Sequence, residues 1–166
     1  EQRLVTACKQ YADLYPNDSK VRNAIYKSAY LLYNKYRFAE AGEQFKAIIA
    51  REPTSNQAQL SADLMLDSFV VREDWNNLKS NSKFYYDLEG LGTNKWKKET
   101  YQIYENASFK VIEVALEKDG DKSKAADGFV AFYEEFPESK TAAQALLRIH
   151  LTLKMAARAP LWNHLA

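Results

Sequence analysis

Tyr26, Tyr30 and Tyr33 stand at i, i+4 and i+7 in the stretch NAIYKSAYLLYN, the spacing of one stripe along a helix. If Ile25, Ala29 and Leu32 face a core, the three rings form a separate stripe, with Asn23 and Asn34 at its ends. A tyrosine offers rigid apolar area and one polar tip, which suits recognition of a partner. The same rings would equally serve to pack on the preceding helix, around Leu4, Cys8 and Tyr11. Asp63 and Asp67, one turn apart on a later helix, are the second candidate. They form either a pair of carboxylates placed to receive a partner's Lys or Arg, or an ordinary solvated face.

Residues fit for catalysis or metal binding are sparse. His150 and His164 are the only histidines and neither has a metal-type spacing, so no metal and no cofactor is expected. Asp119-Gly120-Asp121-Lys122-Ser123 is acidic, but its glycine is misplaced for a calcium loop, and it reads as a turn followed by a helix cap. Gly90-Leu91-Gly92-Thr93-Asn94-Lys95 lacks phosphate-loop spacing and reads as a flexible joint. Asn17-Asp18-Ser19 and Asn106-Ala107-Ser108 are formal glycosylation sequons, which carry meaning only if the source is not bacterial. The single cysteine, Cys8, excludes an internal disulfide and a cysteine-based zinc cage. Nothing here assembles a catalytic constellation, and the protein is read as not an enzyme.

The elements that must position these residues are helices. Only 5 Gly and 4 Pro punctuate 166 residues. Apolar residues recur at helical spacing, as in Ala58, Ala62, Met65 and Phe69, and strand alternation is absent. The pattern predicts helices over about 2–14, 19–33, 38–51, 55–70, 75–88, 95–118, 123–135 and 139–156. Three junctions, YPNDSKV, EPTSNQA and FPESKTA, share a proline that ends one helix and a Ser or Thr placed to cap the next. Pro16 and Pro53 lie 37 residues apart and Pro137 a further 84 on, an irregular period with an insertion. At an offset of 37, Phe38 falls on Trp75, and Asp63 and Asp67 fall where Tyr26 and Tyr30 stand. Short connections such as Asn34-Lys35-Tyr36-Arg37 force neighbouring helices antiparallel.

Charge excludes other classes. Charged residues make up 27%, with a net charge of +1, so no concentrated basic face marks a nucleic-acid binder. Lys95-Trp96-Lys97-Lys98, the most basic run, is followed by Glu99 and reads as a solvated helix start. No run approaches the ~18 apolar residues of a membrane span. The chain lacks an initiator Met, and its helical pattern is already running at Leu4, so it reads as a piece of something longer. The ending Ala159-Pro160-Leu161-Trp162-Asn163-His164-Leu165-Ala166 fits no repeat. It is read as a remnant of cloning, the start of a further unit, or a segment that docks on a groove. The repeat array itself is placed at 1–156 and the tail at 157–166.

In AEAGEQFKAIIAREP, Ala41, Phe45 and Pro53 stand at the same spacing as Ala125, Phe129 and Pro137 in KAADGFVAFYEEFP. A small residue lets the paired helix approach, the aromatic one turn on fills the gap to the next pair, and proline ends the helix. This resembles the tetratricopeptide repeat family. Ala29, Ala41, Phe45 and Pro53 match one unit, and Phe109, Ala125, Phe129 and Pro137 another. Residues 55–90 match less well, with Ser82 where the aromatic belongs. The junctions are similar to those of bacterial envelope repeat proteins of the TolA-binding or outer-membrane lipoprotein type, and of motility-associated repeat proteins.

The resemblance implies an all-α, right-handed α-solenoid of antiparallel helix pairs whose first helices line a concave groove. It implies a non-enzymatic scaffold that binds a peptide or helix of a protein partner, in an envelope or motility complex and a periplasmic or envelope setting. In that architecture the stripe of Tyr26, Tyr30 and Tyr33 faces the groove, with Asn23, Asn34, Asp63 and Asp67 beside it. Family members that hold a partner's C-terminal carboxylate use Lys and Asn clamps at these positions, where this chain has tyrosines. Two alternatives stand beside this reading: a regulatory or targeting arm of an enzyme encoded outside these residues, and a self-association module.

Overall fold

Proline placement sets the helix ends. Glu52 precedes Pro53 and Phe136 precedes Pro137; both leave helical geometry (φ −145° and −127°) while their N–H groups still close the last turn, onto Ile48 O and Phe132 O. The computed structural model describes residues 2–158. Within them lie eight helices and no strand: α1 (Gln2–Leu14), α2 (Val21–Tyr33), α3 (Phe38–Arg51), α4 (Asn56–Val71), α5 (Trp75–Asp87), α6 (Asn94–Asp119), α7 (Lys122–Glu135) and α8 (Ala142–Arg158). The expected boundaries agree to within about three residues. Residues 159–166, which hold most of the expected tail, lie outside the described residues.

The capping expectation holds at only one of the three junctions. Ser55 caps α4, its hydroxyl accepting from Ala58 N at 3.2 Å. At the first junction α2 begins at Val21, two residues later than expected, because Asp18 Oδ1 accepts from Lys20 N at 2.7 Å and holds a turn there. At the third, Ser139 Oγ accepts from Thr141 N at 3.1 Å and α8 starts at Ala142. Asp121, not a Ser, caps α7 by accepting from Lys124 N.

The chain divides into two compact units, and the division falls inside α5 and α6. One unit holds the chain to Asp74 with Asn81–Tyr101; the other holds Trp75–Ser80 and the chain from Gln102.

In the first unit α1 packs on α2, α2 on α3 and on α4, and α3 on α4. Ala29 and Ala41 are both buried, as small residues at a close helix contact should be. Phe45 is buried beside Ile48 and Ile49, its ring 6.2 Å from that of Tyr26. The aromatic missing at Ser82 is supplied by Tyr85, one turn later: Tyr85 is buried and its hydroxyl donates to Met65 Sδ at 3.0 Å. Ser82 is itself fully buried.

Within Gly90–Lys95, expected as a flexible joint, Leu91 turns inward while Gly90, Thr93, Asn94 and Lys95 are exposed, and Asn94 already begins α6. Leu91 is wholly buried between two glycines with positive φ, +78° at Gly90 and +72° at Gly92. The basic run that follows starts a helix as expected and exposes Lys95 and Lys98, but its two middle residues turn inward. Trp96 is buried, and Lys97 turns back to donate to Tyr85 O, Tyr86 O and Leu88 O at 2.6–2.7 Å. A lysine thus satisfies carbonyls at the end of α5 that no helical N–H can reach. Burial lowers the pKa of its ammonium.

The second unit is built on aromatic packing. Phe109, Phe129 and Phe132 are buried with ring centroids 5.2–5.3 Å apart, and Phe136 lies 4.9 Å from Phe132 and 5.2 Å from Tyr104. Tyr104 also donates to Glu135. Gly128 sits against Ile112, where an added Cβ would come within 3.2 Å of its side chain. α7 packs along α8.

Candidate functional site: a tyrosine and carboxylate face on α2 and α4

The two candidate clusters meet in the first unit. Tyr33 on α2 donates its hydroxyl to the carboxylate of Asp67 on α4. At the other end of the contact, Gln57 Nε2 donates to Asn23 Oδ1 at 3.1 Å. Both pairs span 34 residues. Small pairs recur on the two helices nearly in step, with Ser28 and Ala29 on α2 and Ser61 and Ala62 on α4 all buried. The two side-chain bridges set the outer faces of α2 and α4 next to one another.

This register corrects the expected offset of 37. That offset does hold at the turns, where Tyr36 and Glu73 both take positive φ (58° and 54°) just before α3 and α5. It fails on the helices because α4 has 16 residues and α2 has 13, and the three extra residues follow the shared face. Asp63 and Asp67 therefore do not replace Tyr26 and Tyr30. At a spacing of 34 the residues in those places are Leu60 and Leu64, so the stripe continues onto α4 as apolar surface with Asp67 at its end.

Each tyrosine has its own surroundings. Tyr26 is half-buried, stacked on Tyr30 at 6.3 Å and tilted against Phe45. Tyr33 is half-buried and stands edge-on to Phe38 at 5.4 Å. Burial and the Asp67 carboxylate push its hydroxyl pKa up to about 12. Tyr26 thus leans on α3, and Tyr33 reaches both α3 and α4. Tyr30 is the open one, 44% exposed, and Leu60 on α4 is 47% exposed. Asn34 is exposed, and its backbone N–H closes the end of α2 onto Tyr30 O.

Asp63 is the electrostatic centre of the face. It is half-buried and accepts from Trp96 Nε1 at 2.6 Å. Burial raises its carboxyl pKa, the Trp96 N–H works against that rise, and the nearby Glu99 adds to it. Trp96 had no signal in the sequence beyond its basic neighbours. Aligning the Ser-Ala pairs instead of the prolines gives an offset of 33, one residue short of the observed register, and would have set Gln59 and Asp63 in the places of Tyr26 and Tyr30.

A raised folded pKa means that folded Asp63 holds its proton more tightly than the unfolded chain does. Stability from this group is therefore greatest at low pH and falls as pH rises from about 3.9, the unfolded value, through the raised folded value. Asp63→Asn keeps an acceptor for Trp96 and removes the titration. The difference in urea midpoint between wild type and Asp63→Asn is expected to move in the variant's favour as pH rises from acid towards neutrality. A difference independent of pH would show that Asp63 titrates as it does unfolded.

Among the described residues no cluster of three or more His, Cys, Asp or Glu could hold a metal ion, and no helix is long and apolar enough to cross a membrane. The face offers aromatic and aliphatic surface, hydroxyls and two carboxylates. No family model and no curated protein matches this sequence.

Proposed function

We propose that the face of α2, α4 and the start of α6 binds a peptide or helix from a protein partner, and that the protein is a non-enzymatic scaffold. The observation that carries this reading is the side-by-side seating of α2 on α4 through equivalent residues 33–34 apart. That register supports a right-handed α-solenoid of antiparallel helix pairs, of tetratricopeptide type, in which first helices line a groove. Tyr30 and Leu60 supply open apolar area, and Asn23, Tyr33 and Asp67 supply polar contacts that set the register of a bound segment. The junction sequences support an envelope or motility complex as its setting.

Tyr30 and Leu60 are the residues to test, because Tyr26 and Tyr33 also hold the fold. Tyr30→Ala with Leu60→Ala should change stability by no more than about 1 kcal/mol in total. The same variant should weaken a partner captured from the source organism's lysate at least about tenfold, as for loss of a central interface contact. A partner held equally by wild type and a folded variant would place binding elsewhere.

A further inference from the structure

Within the second unit, α6 carries a buried hydroxyl that no protein group satisfies. Ser108 is 3% exposed, and its Oγ has no hydrogen-bond partner among the described residues. A helical hydroxyl ordinarily bonds back to the carbonyl one turn earlier. Ser80 does so onto Asn76 O at 3.0 Å, and Thr152 onto Arg148 O at 2.8 Å. Ser28 and Ser61 share the unpartnered state of Ser108, but Ser108 also lines a cavity. A buried polar group without a partner is costly to keep, so a ligand that bonds to this hydroxyl removes a cost the folded chain already carries.

The cavity has a volume of about 170 Å³ and lies between α6, α7 and Lys79 of α5. Ser108, Phe132 and Phe136 are buried and form its inner wall, whereas Ala131 and Glu135 are exposed and Lys79 is half-buried at its mouth. Size, shape and charge together define what fits. A cavity of about 150 Å³ takes one benzene ring, so this volume suits a single ring with one small substituent. Phe132 and Phe136 offer aromatic walls on which such a ring packs in tilted or edge-on geometry. The Ser108 hydroxyl can donate one bond and accept others, the complement of another hydroxyl. The mouth carries one charge of each sign, so it has no net attraction to offset the desolvation of an ion, a cost that a neutral molecule does not meet.

We propose that this cavity binds a small neutral phenol, its hydroxyl on Ser108 and its ring against Phe132 and Phe136. The probes are 4-fluorophenol and fluorobenzene, titrated into the protein at neutral pH and followed by fluorine NMR. Wild type is expected to bind 4-fluorophenol about fivefold more tightly than fluorobenzene, the worth of one neutral hydrogen bond. Ser108→Ala should remove that preference by weakening 4-fluorophenol alone. The variant should fold, since it exchanges an unpartnered buried hydroxyl for a methyl group. Ala131→Leu narrows the mouth from an exposed position, so it should weaken both probes with an unchanged circular dichroism spectrum. Equal affinity for the two probes, or a preference that survives Ser108→Ala, overturns the proposal. Affinities unmoved by Ala131→Leu place the probes elsewhere and overturn it as well. No binding of either probe at millimolar concentration shows a cavity that holds water only. Tighter binding of 4-fluorobenzoate than of 4-fluorophenol overturns the proposal in favour of an anion. Displacement of the probe by N-acetyltyrosinamide at lower concentration than by phenol overturns it in favour of a partner's tyrosine side chain.

Discussion

Phe45→Ala is expected to lower the unfolding free energy by about 3–5 kcal/mol, the cost of removing a large aromatic from a packed site. The ring is 1% exposed. It lies among Ile48, Ile49 and Tyr26, residues that reach it from two helices, so little can collapse into the space it leaves. Equilibrium urea unfolding followed by far-ultraviolet circular dichroism would measure the loss. A cost below about 1 kcal/mol would mean that the site is not packed as described. Because Tyr26 leans on the same ring, the substitution should also loosen one wall of the proposed binding face. Partner affinity would then fall further than it does for Tyr30→Ala alone.

Gly92→Ala is the second large effect, at roughly 2–5 kcal/mol. Two causes add. The residue has φ +72°, a left-handed conformation that costs a side-chain-bearing residue about 1–2 kcal/mol. A Cβ built there would also fall onto the ring of Trp96, and overpacking of that kind costs about 1–3 kcal/mol. Gly120→Ala separates the two, since Gly120 has φ +68° but nothing within 4 Å of an added Cβ. It should cost only the conformational part, about 1–2 kcal/mol. Equal losses from the two substitutions would show that Trp96 can move aside. Trp96 also donates to Asp63, so displacement of its ring should shift tryptophan fluorescence in the Gly92 variant and not in the Gly120 variant.

The contrast between these glycines shows where local sequence stops being informative. Gly92 reads as part of a joint and Gly120 as part of a turn, and both have positive φ. Only the chain around them distinguishes a glycine in open space from one pressed against an indole. The same holds for Lys97, which reads as one cation in a basic run and proves to hold three carbonyls at the end of α5. Its partners lie 9–12 residues away, beyond the reach of any pattern within one helix.

The existence of eight helices, their near boundaries and much of their core were determined by the sequence alone. These follow from the 3.6-residue period of apolar residues and from prolines that break helices, both properties of short stretches. Phe45, Ala41, Ala125 and Phe129 were legible as core for that reason, and so was the tyrosine stripe. How that stripe meets α4 was decided only by the tertiary structure. The prolines measure the distance between helix ends, whereas the side-by-side register is seen in the pairs that bridge α2 and α4, here Tyr33 with Asp67 and Asn23 with Gln57. With α4 three residues longer than α2, the two measures differ by most of one helical turn. That difference sets Leu60 and Leu64 beside the tyrosines and turns Asp63 towards Trp96.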